Sequence, residues 1–402
     1  MGKIKHYSKI CIIRKSSIQN FFIALFLLIV FTSPIVRFAV DFYFYLLVIS
    51  IIATFVFVDF VSKTGRYNSF MYIPLLLLLG MFLYIGISQP YKLNSLYYSA
   101  VSMILILVSY WTMKQDYRLV KTMAFVALLI YYQFFIYSGL VQGFMPADVN
   151  SYLGESSRNA VSAIALFLQV LYSAAYYRVH QNLPLFTPIF TLIIAIVAFG
   201  RSGIGLSAML VVFTYLLLFL QSNRLSKLLV FTGLIIVFFI LVQNLQQISD
   251  FLVLYTNFQT GLDSPRYIMN QEYVSKITFE SFLIGLDLST IPIIHSHSDN
   301  PHNSVILAHS QFGFLYVLFL MFFALFVGYV VLVYKNTVVY GFLLLLFLTR
   351  ISIDILALLG VFDFIFYFLV FCIYEAYKKG EARSLFKKQR SKTVKFKREV
   401  SI

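Results

Sequence analysis

The chain has 402 residues, of which 60% are hydrophobic, 18% aromatic and 12% charged, with a net charge of +15. About a quarter of the residues of a soluble domain are charged, so this composition argues against a soluble globular protein and for a polytopic membrane protein. The basic residues are spread between apolar runs instead of forming one patch, which argues against a nucleic-acid-binding role.

The N-terminal stretch 1–17 is basic, with Lys3, Lys5, Lys9, Arg14 and Lys15. The first apolar run is followed by no small-residue cleavage site and reads as a retained helix. Twelve apolar windows approach the roughly 20 residues needed to cross a bilayer core: 18–36, 38–61, 70–88, 95–113, 119–141, 159–178, 184–200, 203–220, 228–246, 303–334, 337–358 and 360–377. The first nine make up 18–246 and the last three 303–377. Lys63 and Arg66 follow the second window, and Lys114, Arg118 and Lys121 the fourth. Arg178 follows the sixth, Arg224 and Lys227 the eighth, Lys335 the tenth, and the tail 378–402 is basic. In a twelve-span arrangement these lie on one side, so the positive-inside rule makes both termini cytoplasmic and the tail a solvated, leaflet-facing segment. Cys11 and Cys372 fall on that same side, so neither a disulfide nor a thiolate metal site is expected outside.

Two exported loops stand out, the short 142–158 and the long 247–302. The long one reads as a partly helical periplasmic or extracellular cap. Apolar residues recur at three- and four-residue spacing from Arg266 to Ile277, Pro265 suits the start of such a helix, and Gly285 and Pro292 break the pattern. The cap is acidic, with Asp250, Asp263, Glu272, Glu280, Asp287 and Asp299 against Arg266 and Lys276, so its cations are conspicuous.

The chemistry-bearing residues gather on the exported side. Arg201 sits in Phe199-Gly200-Arg201-Ser202-Gly203, a tight turn between two spans, where a guanidinium suits bidentate phosphate binding and glycines let backbone amides approach an anion. The alternative is an arginine reaching lipid headgroups. Arg158 opens the sixth span and is either a second phosphate ligand or a helix-end anchor paired with Glu155. Arg266 is a third phosphate ligand or a surface residue. His302 precedes Asn303 and an apolar helix that Asn303 or Ser304 caps. Its imidazole can take a proton from a sugar hydroxyl. A zinc site from His295, His297 and His302 is the rival, although the spacing matches no common motif. His309 reads as a packed histidine, and Arg350 and Asp354 as a structural pair at i, i+4 or part of an ion path together with Asp363.

Pro301-His302-Asn303 enters an apolar helix that continues Ser310-Gln311-Phe312-Gly313-Phe314-Leu315. Upstream is a span ending in Phe199-Gly200-Arg201-Ser202-Gly203, and between them an Arg266-containing segment ending near Leu283-Ile284-Gly285. In this order the motifs resemble the O-antigen ligase and polymerase superfamily of bacterial surface-polysaccharide enzymes. The motif resemblance covers roughly residues 195–330, and the span count extends it to the whole chain.

The resemblance implies an all-α polytopic protein of the bacterial inner membrane, with about twelve transmembrane helices and a periplasmic cap between spans nine and ten. It implies a metal-independent, inverting glycosyltransferase that needs no cofactor and uses a glycan on undecaprenyl pyrophosphate as donor. His302 would be the base, Arg201 and Arg266 would bind the pyrophosphate, and Asn303 and Gly203 would support them. Arg158 matches no family motif and stays a pyrophosphate-binding candidate on its position alone. Position 300 is Asn, where some members carry a further histidine. In a ligase the acceptor is lipid A–core; in a polymerase it is a second lipid-linked repeat unit, and a chain-length regulator is a further partner. One large cap beside a much shorter second loop favours the ligase. A lipid-linked oligosaccharide flippase is the reading from a different class, and it would place its polar groups near the bilayer midplane.

Overall fold

The computed structural model describes residues 19–36, 48–56, scattered positions between 72 and 84, 93–154, 158–221, scattered positions between 243 and 250, 265–356, 360 and 362–380. The described residues are helical, with no strand. The long helices are α1 (Gln19–Val36), α2 (48–56), α3 (Leu93–Lys114) and α4 (Tyr117–Gln142). A short α5 (Pro146–Val149) precedes α6 (Arg158–His180), α7 (Thr187–Val197) and α8 (Arg201–Gln221). After the segment bearing α9 (Pro265–Ser275), α10 (Phe279–Ile284) and α11 (Pro292–His295) come α12 (Ser304–Phe312), α13 (Phe314–Val333), α14 (Val338–Ile351) and α15 (363–380). Among the described residues six helices, α1, α3, α4, α6, α8 and α13, are long and apolar enough to cross a membrane.

Helix α6 is the axis of the bundle. Its most apolar stretch is 94% buried, against 28% for α8 and 22% for α13. Ala160, Ser162, Ala163, Ala165, Ser173, Ala174 and Ala175 keep its surface narrow, so neighbouring backbones come close. Its buried Gln169 donates to Ser173 at 2.8 Å and accepts from Tyr132 of α4 and Thr191 of α7, each at 3.3 Å. Phe167 packs against Phe347 of α14 at 4.6 Å and against Phe362 at 4.7 Å.

Three expected spans take a different form. The apolar run 184–200 holds only the 11-residue α7, which starts at Thr187-Pro188. The run 303–334 is two helices broken at Gly313 (φ 61°). There the glycine lies against the backbone of Leu283 and Ile284, where a side chain has no room. The run 337–358 stops being helical at Ile351, so Asp354 lies past the helix end. Much of the windows 38–61, 70–88 and 228–246, together with Cys11, Glu155 and Asp263, lies outside the described residues.

The segment 265–303 folds against α12. Met269, Tyr273, Leu288, Ile291, Ile294 and Ile306 form a small core of their own. His309 of α12 staples it: Tyr273 Oη lies 2.6 Å from Nδ1, and Nε2 lies 3.1 Å from the Phe282 carbonyl. A carbonyl only accepts, so Nε2 donates and Nδ1 accepts from the Tyr273 hydroxyl. Burial pushes the Tyr273 phenol above its ordinary value, so it stays a donor.

Candidate functional site

The site is assembled where α6, α8 and α12 begin and α14 ends. Asn303 is the N-cap of α12, its side chain accepting from the amides of Val305 at 2.9 Å and Ile306 at 3.3 Å. His302 directly precedes this cap with φ 48°, a left-handed backbone that side-chain-bearing residues rarely adopt. Ser298 and Asp299 share this conformation, each at φ 58°, and so does Phe199 at φ 53° in the turn before Arg201. Such residues persist where surrounding contacts hold them, often at ligand sites. The hold on His302 is visible: its amide donates to the Asn300 side chain at 2.8 Å.

The imidazole of His302 faces Asp354. Nδ1 is buried without a hydrogen-bond partner among the described residues, and Asp354 Oδ1 stands 3.8 Å away, beyond hydrogen-bond length. The His302 side chain is 28% exposed, so the ring keeps an open edge while Nδ1 looks inward.

The Ile353-Asp354 peptide is gripped from three sides. Ser304 at the start of α12 donates to the Asp354 carbonyl at 2.7 Å. Arg266 of α9 donates to the Ile353 carbonyl at 2.7 Å. Arg350 Nη2 reaches Asp354 Oδ2 at 3.4 Å and the Asn159 carbonyl in the first turn of α6 at 2.9 Å. Burial works to raise the Asp354 carboxyl, but His302, Arg350 and Arg266 outweigh it and hold the carboxyl below the usual carboxylate range.

The turn before α8 joins through Asn159 and Ser162. A Cβ on Gly203 would lie 2.6 Å from Cβ and Oγ of Ser162, so glycine is what lets α8 start against α6. Arg201 is thus the first residue of α8, beside the first turn of α6, and is half-buried. Arg158 opens α6 and is also half-buried, its backbone amide donating to Asn150 at 2.9 Å.

The expected residues therefore separate into two groups. His302, Asn303, Arg266, Arg158, Arg201 and Gly203 lie on elements that meet at this end of α6. His295 and His297 are occupied elsewhere: His295 Nδ1 pairs with Asp299 Oδ1 at 3.0 Å, and His297 Nδ1 donates to the Ile293 carbonyl at 2.9 Å. The His297 and His302 rings stand 6.4 Å apart. Among the described residues no three His, Cys, Asp or Glu side chains are grouped to hold a metal ion.

Arg350 and Asp354 belong to the site, although the sequence points first to a structural pair. Their signal was two opposite charges at the end of an apolar run, close to the boundary where His302 enters. Asp363 stands apart from it, accepting from Ser102 of α3 at 3.0 Å. No protein-family model, no curated protein and no solved structure matches the chain.

Proposed function

We propose that this protein is an inner-membrane glycosyltransferase of the O-antigen ligase type, with twelve spans, cytoplasmic termini and its site at the periplasmic face. The donor is a glycan on undecaprenyl pyrophosphate, and lipid A–core is the acceptor. The observation that carries the reading is a histidine with one edge open and the other facing a buried carboxylate, set among arginines from separate elements.

In this reading the open edge of His302 takes the proton of an acceptor hydroxyl as that oxygen attacks the anomeric carbon. The bond from the anomeric carbon to the pyrophosphate oxygen breaks, and the pyrophosphate leaves with the electron pair. Inversion follows from attack opposite the leaving group. Arg201, Arg266 and Arg158 supply positive charge for the departing pyrophosphate, as pre-oriented cations do at a site of developing charge. Asp354 orients the ring and stabilises the imidazolium that forms.

The test is the lipopolysaccharide of a deletion strain together with transfer by the purified full-length protein. Ligase loss leaves bare core while lipid-linked polymer accumulates. Polymerase loss leaves core carrying one repeat, and that pattern would replace the ligase assignment. An unchanged surface polysaccharide would sink both. His302→Ala lowers transfer by about 10²–10⁴-fold, the usual contribution of a general base, with the protein still present in the membrane. Full activity in that variant removes the base assignment.

A further inference from the structure

Arg350 is the least accessible charge of this region, with 0% side-chain exposure. Only Nη2 is engaged. Nε and Nη1 are buried and have no hydrogen-bond partner among the described residues. Its carboxylate is divided: Asp354 Oδ2 stands 3.4 Å from Nη2, longer than a good N–H···O hydrogen bond, while Oδ1 accepts from the Ile355 amide at 3.0 Å and faces His302 at 3.8 Å. One carboxylate thus stands between a guanidinium and an imidazole and bonds closely to neither. A buried guanidinium with unmet N–H groups is costly, and the acceptor that suits its planar fork is a phosphate oxygen.

We propose that Arg350 is an inner anion ligand, which gives up Asp354 for a phosphate oxygen of the bound donor and so releases Asp354 to pair with His302. The inference rests on the proposed donor chemistry and deepens it. Donor binding and base activation become one event. With a phosphate oxygen against Nε and Nη1, Arg350 no longer draws on the carboxylate. Asp354 can then close on Nδ1 of His302, which leaves the exposed edge of the ring the better base. No bond to carbon or phosphorus changes in this step; one ion pair is exchanged for another. The Asn159 contact at 2.9 Å stays, so the guanidinium turns about an anchored corner that also ties it to the first turn of α6.

The experiment measures binding of two probes, inorganic pyrophosphate and undecaprenyl pyrophosphate, to the full-length protein in detergent. Arg350→Lys keeps the charge and loses the fork. It is expected to weaken both probes by roughly 10–100-fold, the size of a lost hydrogen bond to a charged group. Asp354→Asn removes the competing carboxylate and is expected to bind both probes at least as tightly as the unaltered protein while transferring glycan poorly. The double variant Arg350→Gln with Asp354→Asn removes both charges. If the two residues were only each other's counter-ion, it would recover binding; here it is expected to stay weak. Binding by Arg350→Lys within about twofold of the unaltered protein, a difference of under 0.5 kcal/mol, overturns the proposal, and so does recovery in the double variant. Arg350-dependent binding of inorganic pyrophosphate without binding of the lipid form keeps the anion ligand and overturns the donor. A pH profile of transfer supplies a second readout: Arg350→Lys is expected to shift the base's apparent value in the donor complex, where His302 stands beside the His297 ring and beside Asp354, which Arg350 and Arg266 face in turn.

Discussion

The two ends of α6 each bury an arginine, and they solve the same problem differently. At the far end Arg178 donates to Glu375 at 2.6 Å and to the Met113 carbonyl at 2.7 Å. Its guanidinium also lies 3.6 Å from the centre of the Tyr117 ring. Glu375 is held in turn by the Tyr117 hydroxyl at 2.8 Å and by Lys379 at 3.0 Å. Among the described residues Arg178 leaves its Nε and Nη1 without hydrogen-bond partners, as Arg350 does, but a close carboxylate and an aromatic face meet its charge. At the near end the carboxylate is 3.4 Å from Arg350 and is shared with a histidine. The far-end cluster joins α3, α4, α6 and α15 through a closely paired guanidinium and carboxylate. The near-end cluster has a distant, divided carboxylate, a strained backbone and an open imidazole edge.

The largest expected difference between the ends is catalytic. Asp354→Asn should lower transfer by about 10²–10⁴-fold, the range for removing the partner that orients a catalytic histidine, with the protein still folded. Glu375→Gln should leave the turnover of folded protein unchanged. Transfer assays normalised to folded protein check both, and an equal loss from the two variants would erase the distinction.

Stability should sort the other way. Breaking a close buried ion pair leaves an uncompensated charge and costs about 3–5 kcal/mol. Glu375→Gln should fall near the lower end, because its side chain keeps 20% exposure. Asp354→Asn should cost less, because its contact is longer and its carboxylate is divided. Thermal unfolding in detergent reads both, and a larger drop for Asp354→Asn would make that residue the structural one.

The pH dependence is smaller and has a fixed sign. Against the raising effect of burial, His302, Arg350 and Arg266 together hold the Asp354 carboxyl below the usual range. Its stabilising contribution is therefore complete above the unfolded carboxyl value of about 3.9 and is lost as pH falls through the lowered folded value. The stability gap between the unaltered protein and Asp354→Asn should close as pH falls below about pH 4. A gap that persists unchanged at lower pH would show that the carboxylate's charge is not what stabilises the fold.

What could be read from the sequence follows what is local. Apolar run length and charge placement identify a helical membrane protein, Pro265 starts α9 as its position predicts, and Asn303 caps α12. His302 stands apart from its neighbours because it alone sits at a helix entrance. Contacts between distant segments were not legible. The break at Gly313 is fixed by the backbone of Leu283, thirty residues upstream, and a single glycine within an apolar run is a weak signal by itself. The end of α14 is hidden because Ile353, Ile355 and Leu356 continue the apolar run past Ile351. Counted as one helix, Arg350 and Asp354 face each other and look self-contained. With the helix ended at Ile351, the carboxylate turns toward His302, and the pair becomes part of the site.

His295 tests the smallest effect and sharpens the comparison from the side of the histidines. Its ring is 66% exposed and pairs with Asp299 four residues on, a surface contact worth little. His295→Ala should keep transfer within about twofold, in line with the roughly 0.5 kcal/mol of ordinary surface substitutions. Transfer should also survive EDTA, because in the proposed mechanism arginines meet the charge of the leaving group and, among the described residues, no three His, Cys, Asp or Glu side chains are grouped around a metal position. Loss of transfer in His295→Ala together with loss in EDTA that zinc restores would revive a three-histidine metal centre. The role of Asp354 would then shift from orienting a base to supporting a ligand. Persistence of transfer in both leaves His302 as the one member of the cluster whose chemistry depends on the loosely held end of α6.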